Sequence, residues 1–242
     1  MSLESFPFKA HLGEIRRRLI ACVVVLGVAF AACYALSGPL VAFLGAPLRT
    51  VQPGQGMVFT ALPEAFLVYL KVAFWAALIL SAPFFVYQAW AFVAPGLYPH
   101  EKRRLRWALL WGGGLFVAGA VFGYAVVLPA AFSITMDYAS EGLQALPRLQ
   151  DYMLFSLKAM FVFGLVFEIP FLMMFAVRSG LVAPDYFRRG RKGFYVALYL
   201  VAVLVVPSDV FTQVLIFLPM MALYEVGRWM GGRRGPSAGG AG

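Results

Sequence analysis

The sequence predicts an all-α polytopic membrane protein. It expects six transmembrane helices, both termini in the cytoplasm, kinked helices forming a concave, cupped bundle, and a short last pair of helices. Three observations carry that expectation. The 242-residue chain is 62% hydrophobic and only 13% charged, whereas a soluble domain is roughly half apolar and about a quarter charged. Its apolar residues gather into runs of bilayer length. Its formal net charge of +9 is concentrated between alternate runs. The first observation excludes an ordinary soluble enzyme, and the hydrophobicity excludes disorder. The third makes the basicity a sign of topology rather than a nucleic-acid site.

The spans follow in order. Residues 1–18 form a cytoplasmic N-terminal segment, and 19–36 is an uncharged apolar run. Span two, 66–92, is apolar apart from Lys71; span three is 107–128; span four, 152–177, is interrupted by Lys158 and Glu168. Spans five and six, 193–206 and 210–224, are separated by Pro207-Ser208-Asp209. A single membrane domain thus covers 19–229, followed by a Gly-rich, disordered cytoplasmic tail over 230–242.

Sidedness comes from the bases. Lys9 and Arg16–Arg18 precede span one, and Lys102, Arg103, Arg104 and Arg106 lie between spans two and three. Arg178, Arg188, Arg189, Arg191 and Lys192 lie between spans four and five, and Arg228, Arg233 and Arg234 follow span six. Six crossings put all of these on one side. The opposite loops hold only Arg49 and Arg148, against Glu64, Asp137, Glu141, Asp151 and Asp209. Both termini are therefore expected in the cytoplasm. The arginines before Ala29-Phe30-Ala31 imitate a cleavable signal, but the segment is read as a retained first helix.

Proline and glycine punctuate the spans. Pro83 is expected to kink span two, Pro129 to end span three, and Pro219 lies in span six. Loop 37–63, with Pro47, Pro53, Gly54 and Gly56, and segment 129–151 are candidates for a cap on the outer side. Gly119 and Gly123 form a GxxxG pair, a helix-contact signal. Fourteen residues of span five reach only about 21 Å, against a hydrocarbon core of roughly 30 Å. Spans five and six therefore either cross a thinned bilayer, form a re-entrant hairpin, or gain amphipathic turns from flanking residues.

No catalytic constellation is present. There is no HExxH, P-loop or nucleophile elbow. Cys22 and Cys33 stand about 16 Å apart on one helix, beyond disulfide reach, and His11 and His100 make no zinc pattern. The expectation is a non-enzyme without cofactor or metal. Ionisable groups at membrane depth are functional candidates. Glu168 lies about 14 Å by helix rise from Val177, and desolvation favours its neutral form. Beside Pro170, which frees a backbone carbonyl, it suggests a polar notch; a structural, internally bonded glutamate is the alternative. Lys71 and Lys158 are explained by snorkelling. Glu14 and Glu101 stand among arginines, where each either neutralises its neighbours or forms part of a receptor for a cationic ligand.

The ordered motifs resemble the TatC family, the multi-spanning receptor subunit of the twin-arginine (Tat) protein translocase. Phe8-Lys9-Ala10-His11-Leu12-Gly13-Glu14-Ile15-Arg16 is similar to that family's opening signature. Tyr87-Gln88-Ala89-Trp90-Ala91-Phe92-Val93-Ala94-Pro95-Gly96-Leu97-Tyr98, followed by Glu101-Lys102-Arg103, is the most specific match. Phe116 to Pro129, Phe163-Gly164-Leu165-Val166-Phe167-Glu168-Ile169-Pro170, and Pro219 to Glu225 resemble later helices, so the likeness runs from Phe6 to Trp229. One departure is Val206-Pro207-Ser208-Asp209, where the family often has a threonine and two prolines before the aspartate.

The resemblance implies a receptor in the prokaryotic cytoplasmic membrane, binding twin-arginine signal peptides of folded proteins. Its contacts would be Glu14 and Glu101, with His11, Leu12, Arg16, Pro95, Gly96, Leu97 and Tyr98 beside them. It also implies TatA- and TatB-type single-span partners meeting Glu168, Gln213 and Asp209, a homo-oligomer within a receptor complex, and export driven by the proton-motive force. Carboxylates suit paired arginines because guanidinium groups bond them bidentately and lysine does not. Two other classes compete: a proton-coupled small-solute transporter centred on Glu168, although no internal repeat is visible, and a structural membrane scaffold.

Overall fold

The structure, a computed structural model, describes residues 6–51, 57–58, 62–93, 102–137, 148–183, 185–205 and 210–232. Among these the chain is helical, with one isolated bridge between Val58 and Arg148. In order come α1 (Phe6–Ala35), α2 (Ser37–Leu44), α3 (Ala46–Val51), α4 (Leu62–Val93) and α5 (Lys102–Phe122). A π-helical turn (Gly123–Val127) leads into α6 (Leu128–Asp137), then α7 (Leu149–Arg178), α8 (Tyr186–Arg189), α9 (Arg191–Val205) and α10 (Val210–Gly232). The described residues within 1–46, 56–117 and 147–157 make one compact unit, and those within 47–55, 118–146 and 158–242 another.

In the first unit α1 and α2 pack on α4. Where α1 meets α4, buried Cys33 faces Ala73 and Ala77, with Leu26, Phe30 and Leu40 closing around them. Two alanines one turn apart let the helix axes approach, and in lipid such close packing supplies much of the association energy. Leu19, Val23, Val24 and Val28 of α1 stay exposed, which suits a helix whose outer side meets acyl chains rather than water.

The stretch 37–63, read from the sequence as a long loop that could cap the outer side, contains α2 and α3. Pro39 and Pro47 occupy first turns, where a missing N–H costs nothing. Periodicity missed both helices because each is shorter than three turns. The Tyr152 hydroxyl of α7 donates to the Leu44 carbonyl at 2.8 Å, satisfying an end of α2. Leu149 N–H donates to the Val58 carbonyl at 2.9 Å and so caps the start of α7. Lys71, near one end of α4, donates to Gln150 Oε1 of α7 at 3.0 Å, which gives its ammonium a polar site within reach.

The second unit rests on backbone-close packing. A Cβ added at Gly119 would stand 2.8 Å from the Phe163 carbonyl carbon and 2.9 Å from Gly164 Cα. One added at Gly123 would lie 3.0 Å from Met160 Cα. The GxxxG pair is thus pressed against α7, with Phe122 packing on the rings of Phe163 and Phe167. On α10, a Cβ at Gly227 would meet Pro170 Cα at 2.7 Å and Met173 Sδ at 2.9 Å. α10 therefore seats its backbone where Pro170 interrupts the α7 ladder. Gly180, at φ +73°, closes α7: its N–H donates to the Val177 carbonyl and that of Val182 to the Ala176 carbonyl.

Two expectations are corrected. Pro129 does not end the third span, whose helix continues to Asp137. The π turn just ahead shifts the ladder by one residue, with Leu128 N–H reaching back to the Gly123 carbonyl. The chain thereby accommodates a missing donor and a bulky ring without breaking. Nor is the last helix short: α10 has 23 residues. It runs on past Tyr224, where Arg228 one turn later neutralises Glu225 and Gly227 fits against Pro170 of α7. α9, with 15 residues, is short as expected. Among the described residues, five segments are long and apolar enough to cross a membrane: Gly13–Ala35, Glu64–Ala89, Gly112–Ile134, Leu149–Arg178 and Val210–Gly231.

Gly119→Leu should destabilise the protein by about 1–3 kcal/mol, the usual cost of overpacking. Gly114→Ala, where a Cβ meets nothing within 4 Å, should be neutral or slightly stabilising. Thermal unfolding of both variants in one detergent checks the contrast.

Candidate functional site

The N-terminal half of α1 places Glu14 and Arg18 one turn apart, with the acid N-terminal to the base, the favourable order. Arg18 Nε and Nη2 both donate to Glu14 Oε1, at 3.0 and 2.6 Å. The guanidinium then reaches α4: Nη1 donates to Gln88 Oε1 at 2.9 Å and Nη2 to the Ala91 carbonyl at 3.0 Å. Ala91 lies in the last turn of α4, where carbonyls lack helical donors and the dipole is negative. No base of α4 itself lies in that turn, so α1 supplies one. The Arg18 side chain is 21% exposed and that of Glu14 34%. Arg16 and Arg17, beside them, are exposed.

Sequence reasoning placed Glu14 here and offered neutralisation by neighbouring arginines as one reading; Arg18 supplies that neutralisation. It did not anticipate the join to Gln88 and Ala91, which are seventy residues away. The four-residue Glu14–Arg18 spacing was a legible signal, but the contact to α4 left no trace in spacing. The backbone of α1 carries His11 and Leu12, but their side chains lie outside the described residues. So do Pro95, Gly96, Leu97, Tyr98, Glu101 and Asp209.

A second polar cluster joins α9 to α10. Glu225 Oε2 accepts from Arg228 Nε at 2.8 Å and Nη2 at 2.6 Å. Its Oε1 faces Arg191 Nε at 2.9 Å and accepts from the Tyr195 hydroxyl, which in turn accepts from Arg191 Nε at 2.7 Å. The bond to Tyr195, with the Glu225 charge adding to it, holds the Arg191 guanidinium above its ordinary pKa. Tyr224 anchors the same end: its hydroxyl donates to the Phe187 carbonyl at 2.6 Å, and its ring stacks on Phe194. Sequence reasoning had Glu225 only as the end of the Pro219 to Glu225 stretch that resembles the family. The Arg228 spacing pointed to a partner, whereas Tyr195 and Arg191 are brought in by packing.

Nearer the start of α10, Gln213 is 5% exposed and accepts from the Tyr199 hydroxyl of α9 at 3.2 Å, next to buried Thr212. Glu168 sits on α7 at 4% exposure, two residues before Pro170. Both side chains are embedded in apolar helix, and Gln213 there makes a directional contact between α9 and α10.

Taken together, the fold and these clusters define a multi-pass helical membrane protein with carboxylate–guanidinium contacts at helix ends. Comparison with known proteins identifies which. The family described as Sec-independent protein translocase protein (TatC) matches residues 10–219, and the chain belongs to that family. A TatC protein of Desulforapulum autotrophicum is 39% identical over 92% of this chain and 83% of its own length. That of Escherichia coli K12 is 35% identical over 94% and 89%. A crystal structure described as the twin arginine translocase receptor TatC superposes with a TM-score of 0.85 at 30% identity, covering 91% of this chain and 97% of the other. The protein is a component of the Sec-independent, twin-arginine translocase. Nothing in these likenesses supports a small-solute transporter.

Tyr195→Phe should cost about 1 kcal/mol by removing one bond to a charged acceptor. In a Glu225→Gln background the same substitution should cost less than half as much, which a double-mutant cycle of unfolding temperatures reads directly.

Proposed function

We propose that this chain is the signal-peptide receptor of its translocase, and that Glu14 and Glu101 bind the paired arginines of export substrates. The observation supporting this reading is the state of Glu14. Its carboxylate already holds a guanidinium through two N–H donors, while half-exposed at the end of two packed helices. Glu101 directly precedes α5 in the chain, the end of a helix that favours an acid. An exposed ion pair contributes only about 0–1 kcal/mol. Recognition therefore needs both arginines together and the apolar part of the signal lying along helix surfaces. His11, Leu12, Arg16, Pro95, Gly96, Leu97 and Tyr98 are the proposed neighbours.

The same reading has six spans over a single membrane domain, 19–229, both termini on the cytoplasmic side, and the prokaryotic cytoplasmic membrane as location. α9 then crosses as the short span, thinning the lipid around it. TatA- and TatB-type single-span subunits dock where Gln213, Asp209 and Glu168 supply polar contacts. Several copies of the chain assemble in the receptor complex, and the proton-motive force drives export.

The test is photo-crosslinking of a twin-arginine signal peptide in membranes holding the whole translocase. Glu14→Gln with Glu101→Gln should lower crosslinking about ten- to hundredfold, the loss of charge-assisted bonds. Replacing the peptide's two arginines by lysines should do the same to the unaltered protein. Unchanged crosslinking in both arms would remove the acids from the receptor role. Single cysteines placed in 1–5 and 233–242 should label only from the cytoplasmic side.

A further inference from the structure

Arg18 is not an ordinary surface partner of Glu14. A helix pair four residues apart needs only two side chains, yet this guanidinium touches three acceptors on two helices. They are Glu14 Oε1, Gln88 Oε1 and the Ala91 carbonyl. Its bonds divide unequally. Those to Glu14 are made within α1, whereas those to Gln88 and Ala91 run across to α4 and satisfy a helix end that has no base of its own. If Glu14 lets go, Arg18 keeps two acceptors and is not left buried without bonds. Both side chains are part-exposed, so the exchange needs no unfolding.

The acid side has the matching property. Glu14 already accepts two N–H donors of a guanidinium on one oxygen, and a carboxylate that bonds one guanidinium can bond another in its place. We propose that Arg18 is an internal competitor for the Glu14 site: it occupies the carboxylate in the resting protein and moves fully onto α4 when a substrate arginine takes its place. The inference rests on the receptor reading of Glu14 and deepens it. The acid in the basic face is kept neutralised until a ligand arrives, and ligand arrival changes how α1 is tied to the end of α4. That end runs directly into residues 94–101 of the chain, which carry Glu101. A competitor inside the chain lowers apparent affinity by the fraction of time that the site is open, so removing it should tighten binding.

The experiment measures the apparent Kd of a twin-arginine signal peptide on membranes holding the whole translocase, for Arg18→Gln, Arg18→Lys and Arg17→Gln. Arg17→Gln removes the same formal charge from an exposed neighbour, so it reports the general field. Arg18→Gln should bind about fivefold more tightly than Arg17→Gln, the factor expected of a part-exposed pair. Arg18→Lys, which keeps the charge but cannot span three acceptors, should tighten binding by less. In a Glu14→Gln background the Arg18→Gln gain should vanish.

If Glu14→Gln weakens binding but Arg18→Gln matches or falls below Arg17→Gln, the competitor is overturned and the receptor reading stands. If Glu14→Gln leaves binding unchanged, the receptor reading of Glu14 fails and the competitor with it. A peptide-free readout guards against misfolded variants: thermal unfolding of Glu14→Gln, Arg18→Gln and the double variant should be non-additive. Additive losses would show that the pair is absent in the membrane and sink the proposal.

Discussion

A helix in hydrocarbon cannot hand a backbone N–H or carbonyl to solvent, and that constraint governs most of this molecule. Pro83, Pro129, Pro170 and Pro219 all lie inside helices. At two of them the chain makes a local adjustment. The π turn at Gly123–Val127 moves the ladder ahead of Pro129, and the backbone of α10 at Gly227 fills the space beside Pro170. Helix ends follow the same logic. Tyr152 caps α2, Gly180 closes α7, and Arg18 from α1 serves the last turn of α4.

The second consequence concerns attraction. Lipid tails are as apolar as leucine side chains, so burying leucine between helices yields little; contact distance matters instead. The closest approaches accordingly use glycine and alanine: Ala73 and Ala77 beneath α1, Gly119 and Gly123 on α7, Gly227 on Pro170. Large apolar residues such as Leu80, Val121, Leu172 and Leu204 are left outward. An inside-out reading suited to soluble proteins would have assigned those residues to the core.

Charge is handled where the helices meet water. Glu14 and Glu225 are each held by an arginine one turn away; Arg18 then ties the first pair to α4 through Gln88 and Ala91, and Tyr195 and Arg191 tie Glu225 to α9. An acid within a strongly basic face gains from such pairing, because the surrounding field favours its charged form. On the proposed receptor reading the pairing also sets a threshold, since a ligand arginine would compete with Arg18 for Glu14.

Much of the architecture could be read from residue order. The runs near 19–36, 66–92, 107–128 and 152–177 all lie within long helices, because crossing a bilayer demands length and apolarity that composition displays directly. The motifs around Glu14 and from Tyr87 to Tyr98 carried the family likeness, and the one-turn spacing of Glu14 to Arg18 was visible on the page. α2 and α3, the passage of the third span through Pro129 and the length of α10 were not. Each depends on a contact from elsewhere: Tyr152 on α2, the π turn with Gly123 against Met160, Gly227 against Pro170. Likewise the sequence alone determined that a carboxylate would stand among arginines, since composition and spacing are local. Only the tertiary structure decided which arginine holds Glu14, because Gln88 and Ala91, which anchor Arg18, lie seventy residues along the chain and meet it only through helix packing.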